Sequence, residues 1–341
     1  MLSQIEIFGF RNLTEGTLRF GEKNLIVGEN AQGKSNLLEA IYFLFSGRSM
    51  RTKKLVNLIK NGTDYTRLIG INNNEELEQF LSTQNHLSKI NKIPKKLSEF
   101  WHKYPLITFI PSDVELIEGE PSERRRDLDI FLAQLDPNYI YLLREYNSAL
   151  EQRNNLLKKS NFSKEELLVW DERILEPGEN INKSRREAAK ALNEQIFKIG
   201  NDLGIGKLKL ELSQKEYDFA EMLCARIEID KKLGHTSVGP HREDWFLKKD
   251  NLNISGKSSR GEQRMLMLAL RLAQALCLAD KKERPIVIFD DIFSELDQRN
   301  QDLILNYLSE FQTFISSLND ALGTKWASTI FKMENGVANE L

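Results

Sequence analysis

Residues 28–35 read Gly-Glu-Asn-Ala-Gln-Gly-Lys-Ser, an instance of G-x-x-x-x-G-K-[ST]. No other stretch restricts the fold as tightly, because this loop works only between a strand and a helix. Its glycines let the backbone curl until successive N–H groups face inward as an anion nest. A helix opening behind it adds the positive end of its dipole. Lys34 supplies a mobile cation for β- and γ-phosphates, and the Ser35 hydroxyl suits Mg²⁺. The required flanks are present. Leu25-Ile26-Val27 reads as a short buried strand, and Leu37, Leu38, Ile41, Leu44 and Phe45 recur at helical spacing. Chance produces the pattern in roughly 1% of chains this long. With these flanks, Gly28, Glu29, Asn30, Ala31, Gln32, Gly33, Lys34, Ser35 and Asn36 are expected to bind ATP, Lys34 also taking part in catalysis.

A second apolar strand, Ile286-Val287-Ile288-Phe289, ends in Asp290 and Asp291. A parallel-sheet strand delivers its C-terminal residues into the ligand crevice. There Asp290 is placed to hold Mg²⁺ together with Ser35, and Asp291 to orient and deprotonate an attacking water. The plainer alternative is a pair of helix N-caps. Upstream, Ser259-Arg260-Gly261-Glu262-Gln263 opens another amphipathic helix. As Ser-x-x-Glu it is also a capping box, which needs no function. Its position before the acidic strand resembles the signature of ABC-type ATPases, which reaches the γ-phosphate held by an opposite subunit. Ser294-Glu295-Leu296-Asp297 resembles the D-loop of that superfamily, Ser294 and Asp297 being its polar members. The resemblance implies a head-to-tail dimer around two ATP molecules.

Charge appears uninformative at first: 48 Lys and Arg against 50 Asp and Glu in 341 residues, net -2. Divided along the chain it is uneven, with 15 basic and 10 acidic residues in 1–110 but 18 and 25 in 111–230. Fields act locally, so DNA is expected on the first lobe rather than on the acidic middle. Lys89, Lys92, Lys95, Lys96 and Lys103, near Trp101, form the densest basic cluster; phosphate contact, expected for Lys89, Lys92, Lys95 and Lys96, and a merely solvated face are both open. No apolar run approaches the ~18 residues of a membrane span, and Cys224 and Cys277 read as reduced core thiols. The N-terminus lacks the basic start and apolar run of a secretion signal. A cytoplasmic protein with no membrane partner is expected.

Strands alternating with helices at both ends, around a helical middle, predict an α/β fold with a large insertion. The long amphipathic runs Tyr139–Lys159 and Lys183–Asp202 are expected as separate helices, turning at Pro177-Gly178. The expected division is 1–110 and 280–341 for the ATPase lobe and 111–279 for a helical lobe carrying the signature. Between Ser35 and Ser259 lie 223 residues, too few for the long coiled-coil arms of SMC or Rad50 proteins.

Several stretches are similar to the RecF family of bacterial recombination mediators. They are Phe10-Arg11-Asn12-Leu13, Gly47-Arg48-Ser49-Met50-Arg51, Pro111–Gly119, Pro121–Arg126, Gln152–Lys158 and Val238-Gly239-Pro240-His241-Arg242. The resemblance runs to about Leu308. It implies a Rad50-head-like ATPase lobe, a helical second lobe bearing a short arm, and an ATP-dependent homodimer with weak DNA-stimulated ATPase activity. It further implies binding to double-stranded and gapped DNA, nucleoid association, and work with RecO and RecR to load RecA. Residues 70–98 read poorly against the family, and Ser316-Ser317 stands where transporters carry a switch histidine. Alternatives stay open: Arg124–Arg126 could simply pair with acids on the surface, His241-Arg242 could be a loop holding two lobes together or could contact DNA or nucleotide, and Arg11-Asn12 could brace the adenine side of the site or form a structural turn. Another SMC-family DNA-end sensor, a transporter ATPase subunit and a phosphotransferase are the rival readings.

Overall fold

The computed structural model describes residues 1–159, 161–213, 217–254, 256, 258–281, 284–293, 296–318 and 326–341. The chain begins with strands β1 (Leu2–Phe8), β2 (Gly16–Arg19) and β3 (Lys23–Val27), then helix α1 (Lys34–Ser46). Next come β4 (Tyr65–Asn72), β5 (Glu75–Ser82), β6 (His86–Ile90), β7 (Ile93–Pro94), α2 (Leu97–Lys103) and β8 (Leu106–Phe109). A second compact unit, residues 115–259, follows. It holds α3 (Glu115–Glu118), α4 (Pro121–Leu135), α5 (Pro137–Leu157), α6 (Lys164–Asp202), β9 (Leu208–Leu212), α7 (Phe219–Ala225), α8 (Ile227–Leu233), β10 (Trp245–Lys249) and β11 (Leu252–Asn253). The chain then completes the first unit with α9 (Arg260–Lys281), β12 (Ile286–Phe289), α10 (Gln298–Tyr307), β13 (Thr313–Ser317), β14 (Thr329–Glu334) and β15 (Val337–Glu340).

The first unit stacks two sheets on α1. One is antiparallel, in the order β2-β1-β4-β5-β6-β7; the other runs β15-β14-β3-β13-β12-β8, with β14, β3, β13, β12 and β8 parallel. The central parallel strands are buried throughout their apolar runs, as strands covered on both faces must be. α1 is apolar on nearly every side, with Leu37, Leu38, Ile41, Phe43, Leu44 and Phe45 all buried. Such a helix is stable only inside a core, and here it shares one core with Ile5, Leu68 and Leu77 of the antiparallel sheet and Ile26, Ile288 and Phe314 of the parallel one. Residues 70–98, weak in resemblance, hold the end of β4, then β5, β6 and β7 of that antiparallel sheet, and the start of α2.

The second unit is mainly helical, with the small antiparallel sheet β11-β10-β9. The helices α5 and α6, joined by a few residues, make the short arm. Two expectations fail here. Pro177-Gly178 does not turn the chain: α6 runs unbroken for 39 residues from Lys164 to Asp202. A proline inside a helix removes one backbone donor and crowds the preceding turn, but packing against α5, α7 and β9 holds the two halves together. Gly178 is there for contact, since a Cβ would lie 2.4 Å from the Phe219 ring. The second failure is the boundary. We expected the helix after Ser259 in the helical lobe, whereas Arg260–Lys281 packs on β8 in the first unit. Its apolar stripe, including Leu266, Ala269, Leu272, Ala273 and Leu278, is fully buried, so the sheet and not the insertion claims it. Cys277 is buried as expected, but Cys224 is exposed. Among the described residues no helix is long and apolar enough to cross a membrane.

Candidate functional site

The parallel register puts three strand ends side by side. Ser317 of β13 pairs with Val27 of β3, and Ile315 of β13 with Phe289 of β12. The loop 28–33 therefore leaves the sheet edge two strands from Asp290 and Asp291. Gly28 has φ 152° and would set a Cβ 2.6 Å from the Met333 carbonyl oxygen, so no larger residue fits there. Ala31 (φ 63°) and Gly33 (φ 111°) continue the curl into α1, where Gly33 accepts the first helical bond from Leu37. The loop is braced from outside by β14–β15: Gly336 N–H donates to the Gln32 carbonyl at 2.9 Å and Asn335 N–H to Gln32 Oε1 at 2.6 Å.

Lys34 is 7% exposed and folds back over the loop, its Nζ donating to the carbonyls of Gly28 at 2.6 Å and Glu29 at 2.8 Å. Burial lowers its pKa; the charges of Asp291 and then Asp290 oppose that shift, so both carboxylates act on this ammonium. The acidic tips are fixed by a residue that the sequence did not mark for that role. Ser316 Oγ donates to Asp290 Oδ1 at 2.5 Å and accepts from the Asp291 N–H at 2.9 Å. Asp291 itself sits at φ 50°, the left-handed region, where a non-glycine side chain is held only by its surroundings. Neither Asp290 nor Asp291 is the cap of a helix in this arrangement; Asp297 is, accepting from Asn300 N–H at 2.8 Å at the start of α10.

A second feature, also unforeseen, lies along α1. Glu39, wholly buried, accepts from Arg11 Nε at 2.5 Å, from Arg51 Nη2 at 2.5 Å and from the Ser49 hydroxyl. Burial pushes its pKa up, but the hydrogen bonds from Arg11, Arg51 and Ser49 outweigh it and leave the carboxyl below its ordinary range. Asn36, one residue past Ser35, accepts from Arg51 and donates to Asn12 Oδ1 at 2.6 Å. The two motif stretches 10–13 and 47–51 thus meet on the phosphate-loop helix. A carboxylate among Leu37, Leu38 and Ile41 was the visible signal.

Ser259, Arg260 and Gly261 lie exposed at the start of α9, while Gln263 is buried. Among the described residues a Cβ on Gly261 would meet nothing within 4 Å, so none of them requires glycine there. Ser294 and Glu295 lie outside the described residues. The basic cluster is partly neutralised: Lys89 pairs with Glu78 at 3.1 Å and Lys95 with Glu99 at 2.9 Å, while Lys92 occupies a hairpin turn and Lys96 caps α2. In the second unit, Arg124 does not pair on the surface but binds Asp244 bidentately, both bonds 2.7 Å and buried. His241 acts within that unit, taking the Tyr146 hydroxyl on Nδ1 at 2.6 Å and facing the Thr236 carbonyl through Nε2 at 3.0 Å.

The family model "RecF/RecN/SMC N terminal domain" matches residues 1–97 and 117–338. The DNA replication and repair protein RecF of Agathobacter rectalis is 36% identical over 331 residues, covering 93% of this chain and 91% of that one. The chain belongs to the RecF family. The RecF of Acetivibrio thermocellus is 33% identical, with 94% of each chain covered. A solved structure of the recombination mediator RecF with ATP, in the RecFOR pathway, superposes with TM-score 0.90 at 31% identity over 100% of this chain and 97% of that one. The Smc head of Pyrococcus furiosus matches at TM-score 0.60 and 20% identity, which speaks for the ATPase-head fold alone. Membership in the RecF family brings the ATPase-head fold and ATP chemistry with it.

Proposed function

We propose that this RecF-family chain is an ATP-dependent, DNA-binding recombination mediator of gapped-DNA repair and replication restart, whose dimer closes on ATP and opens on slow, DNA-stimulated hydrolysis. The observation that carries it is the parallel register that sets the 28–35 loop, with Lys34 folded over it, two strands from Asp290 and Asp291. In this reading the loop N–H groups and the α1 N-terminus hold the β- and γ-phosphates. Lys34 moves from the Gly28 and Glu29 carbonyls onto the phosphate oxygens, exchanging neutral acceptors for charged ones.

The donor set fits Mg²⁺. Ser35 and Asp290 offer hard oxygens, Asp290 Oδ2 has no partner among the described residues, and no cluster of three His, Cys, Asp or Glu competes among them. Mg²⁺ is held by one or two such groups plus phosphates and water, and when bound it neutralises phosphate charge. Asp291, set off the strand end at positive φ, orients the attacking water and takes its proton. Ser259 and the Gly261 N–H, with Arg260, Glu262 and Gln263 behind them, reach the phosphates held by a second copy, and Asp297 shapes the turn leading into α10. RecO and RecR are the partners, RecA the downstream recombinase, and the nucleoid-associated cytoplasm the place of action. Double-stranded and gapped DNA lies against the first lobe, where Lys92 and Lys96 make no ion pair among the described residues.

Gel-shift on gapped and blunt duplexes, with and without ATP across a salt series, tests this. ATP strengthens binding to gapped duplex and Lys34→Met removes that gain, with affinity falling as salt rises. Binding indifferent to ATP, or to salt, contradicts it.

A further inference from the structure

Glu39 is a carboxylate that the mechanism above does not use. It is 0% exposed on the helix that carries Lys34 and Ser35, four residues past Ser35 and therefore on the same face. Two guanidiniums from separate loops end on its Oε2, and both are partly open, with side-chain exposures of 21% for Arg11 and 35% for Arg51. Each arginine carries five N–H donors in a rigid fork. Arg11 commits only Nε to Glu39, and its terminal nitrogens have no partner among the described residues. Arg51 commits Nε and Nη2, with Nη1 likewise unpartnered among them. Asn36, anchored by Asn12 and Arg51, binds both loops to the first turn of α1. The turn that carries Arg11 lies against the phosphate loop, where a Cβ built on Gly33 would stand 3.3 Å from Asn12 Oδ1, so the uncommitted donors belong to side chains held next to that loop.

We propose that Glu39 is a positioning residue for ATP turnover, anchoring Arg11 and Arg51 so that their remaining donors meet the anionic nucleotide in the 28–35 loop. The inference rests on the nucleotide reading of that loop. The carboxylate fixes where two cations stand without touching the nucleotide itself, and the fork makes the placement directional. Because it joins the turn 10–13 to the loop 47–51, it also sets both arginines by one group: loss of Glu39 displaces them together.

The test compares the full chain with Glu39→Gln, Arg51→Ala, their double variant and Lys34→Met, following ATP binding with a fluorescent ATP analogue, steady-state kcat and KM, and thermal melting. Glu39→Gln is expected to lower kcat about 10- to 100-fold while KM changes far less. Added guanidinium restores part of the activity of Arg51→Ala but not of the double variant, because the added ion has lost its anchor. A Glu39→Gln kcat within about twofold of the parent, or equal guanidinium rescue in both backgrounds, overturns the proposal. If Glu39→Gln fails to fold, Arg11→Ala and Arg51→Ala carry the test, and unchanged turnover in both overturns it. Failure of the nucleotide reading is separately visible, as Lys34→Met binding the analogue as tightly as the parent.

Discussion

Ser316→Ala removes a single oxygen, and its consequence follows from two bonds. The hydroxyl donates to Asp290 Oδ1 at 2.5 Å and accepts from Asp291 N–H at 2.9 Å, in a residue with 0% exposure. A hydrogen bond to a charged group contributes about 1.5–3 kcal/mol. At about 1.4 kcal/mol per decade that is roughly 10- to 100-fold, the size expected when a partner behind a metal ligand is lost. The variant should therefore need about 10- to 100-fold more Mg²⁺ for half-maximal ATPase activity, while nucleotide binding without Mg²⁺ changes little. The assay is ATP hydrolysis against free Mg²⁺ at fixed, saturating ATP. A half-saturation within about twofold of the parent refutes the claim that Ser316 fixes the metal-side carboxylate.

Other outcomes follow from the second unit and from the acidic tip. Arg153 is wholly buried between Asp171 at 2.6 Å and Asp230 at 2.8 Å; Arg153→Met strands two carboxylates and should cost about 3–5 kcal/mol, read as lost amide-exchange protection in residues 115–259. His241 is held neutral, its pKa lowered to about 4 by burial and, behind that, by Arg242 and Arg125. The unfolded chain binds this proton more readily, so stability is full above pH ~6.5 and falls by up to ~3 kcal/mol as pH drops to about 4. Denaturant melts of the parent and His241→Gln across that window should show the slope flattened in the variant. Asp291→Asn should bind ATP as the parent does but lower turnover by about 100-fold or more, checked by single-turnover hydrolysis.

What could be read in advance was what the chain writes contiguously. The loop 28–35 and the strand 286–289 each carry their chemistry within eight residues, and the parallel register puts them where the motif requires. Ser316 was noticed only for its position in the order of motifs, because its role comes from register with β12, which no local pattern encodes. Glu39 reads locally as one polar residue in an apolar helix, because its partners lie 28 and 12 residues away in sequence. Pro177-Gly178 misled because turn propensity is local, whereas the helix is held by α5, α7 and β9. The boundary at Ser259 was misplaced for the same reason, since the stripe of α9 does not say which neighbour covers it. Lys89 and Lys95 pair with Glu78 across the sheet and Glu99 along α2, contacts that a run of basic residues does not reveal.

The central claim is that ATP joins two copies through Ser259 and Gly261. Sedimentation velocity of the parent and of Ser259→Arg, each with ATP and Mg²⁺ and each first shown to bind ATP, tests it most directly. The account predicts a dimer for the parent and a nucleotide-bound monomer for Ser259→Arg. A Ser259→Arg chain that dimerises with ATP as readily as the parent would contradict it.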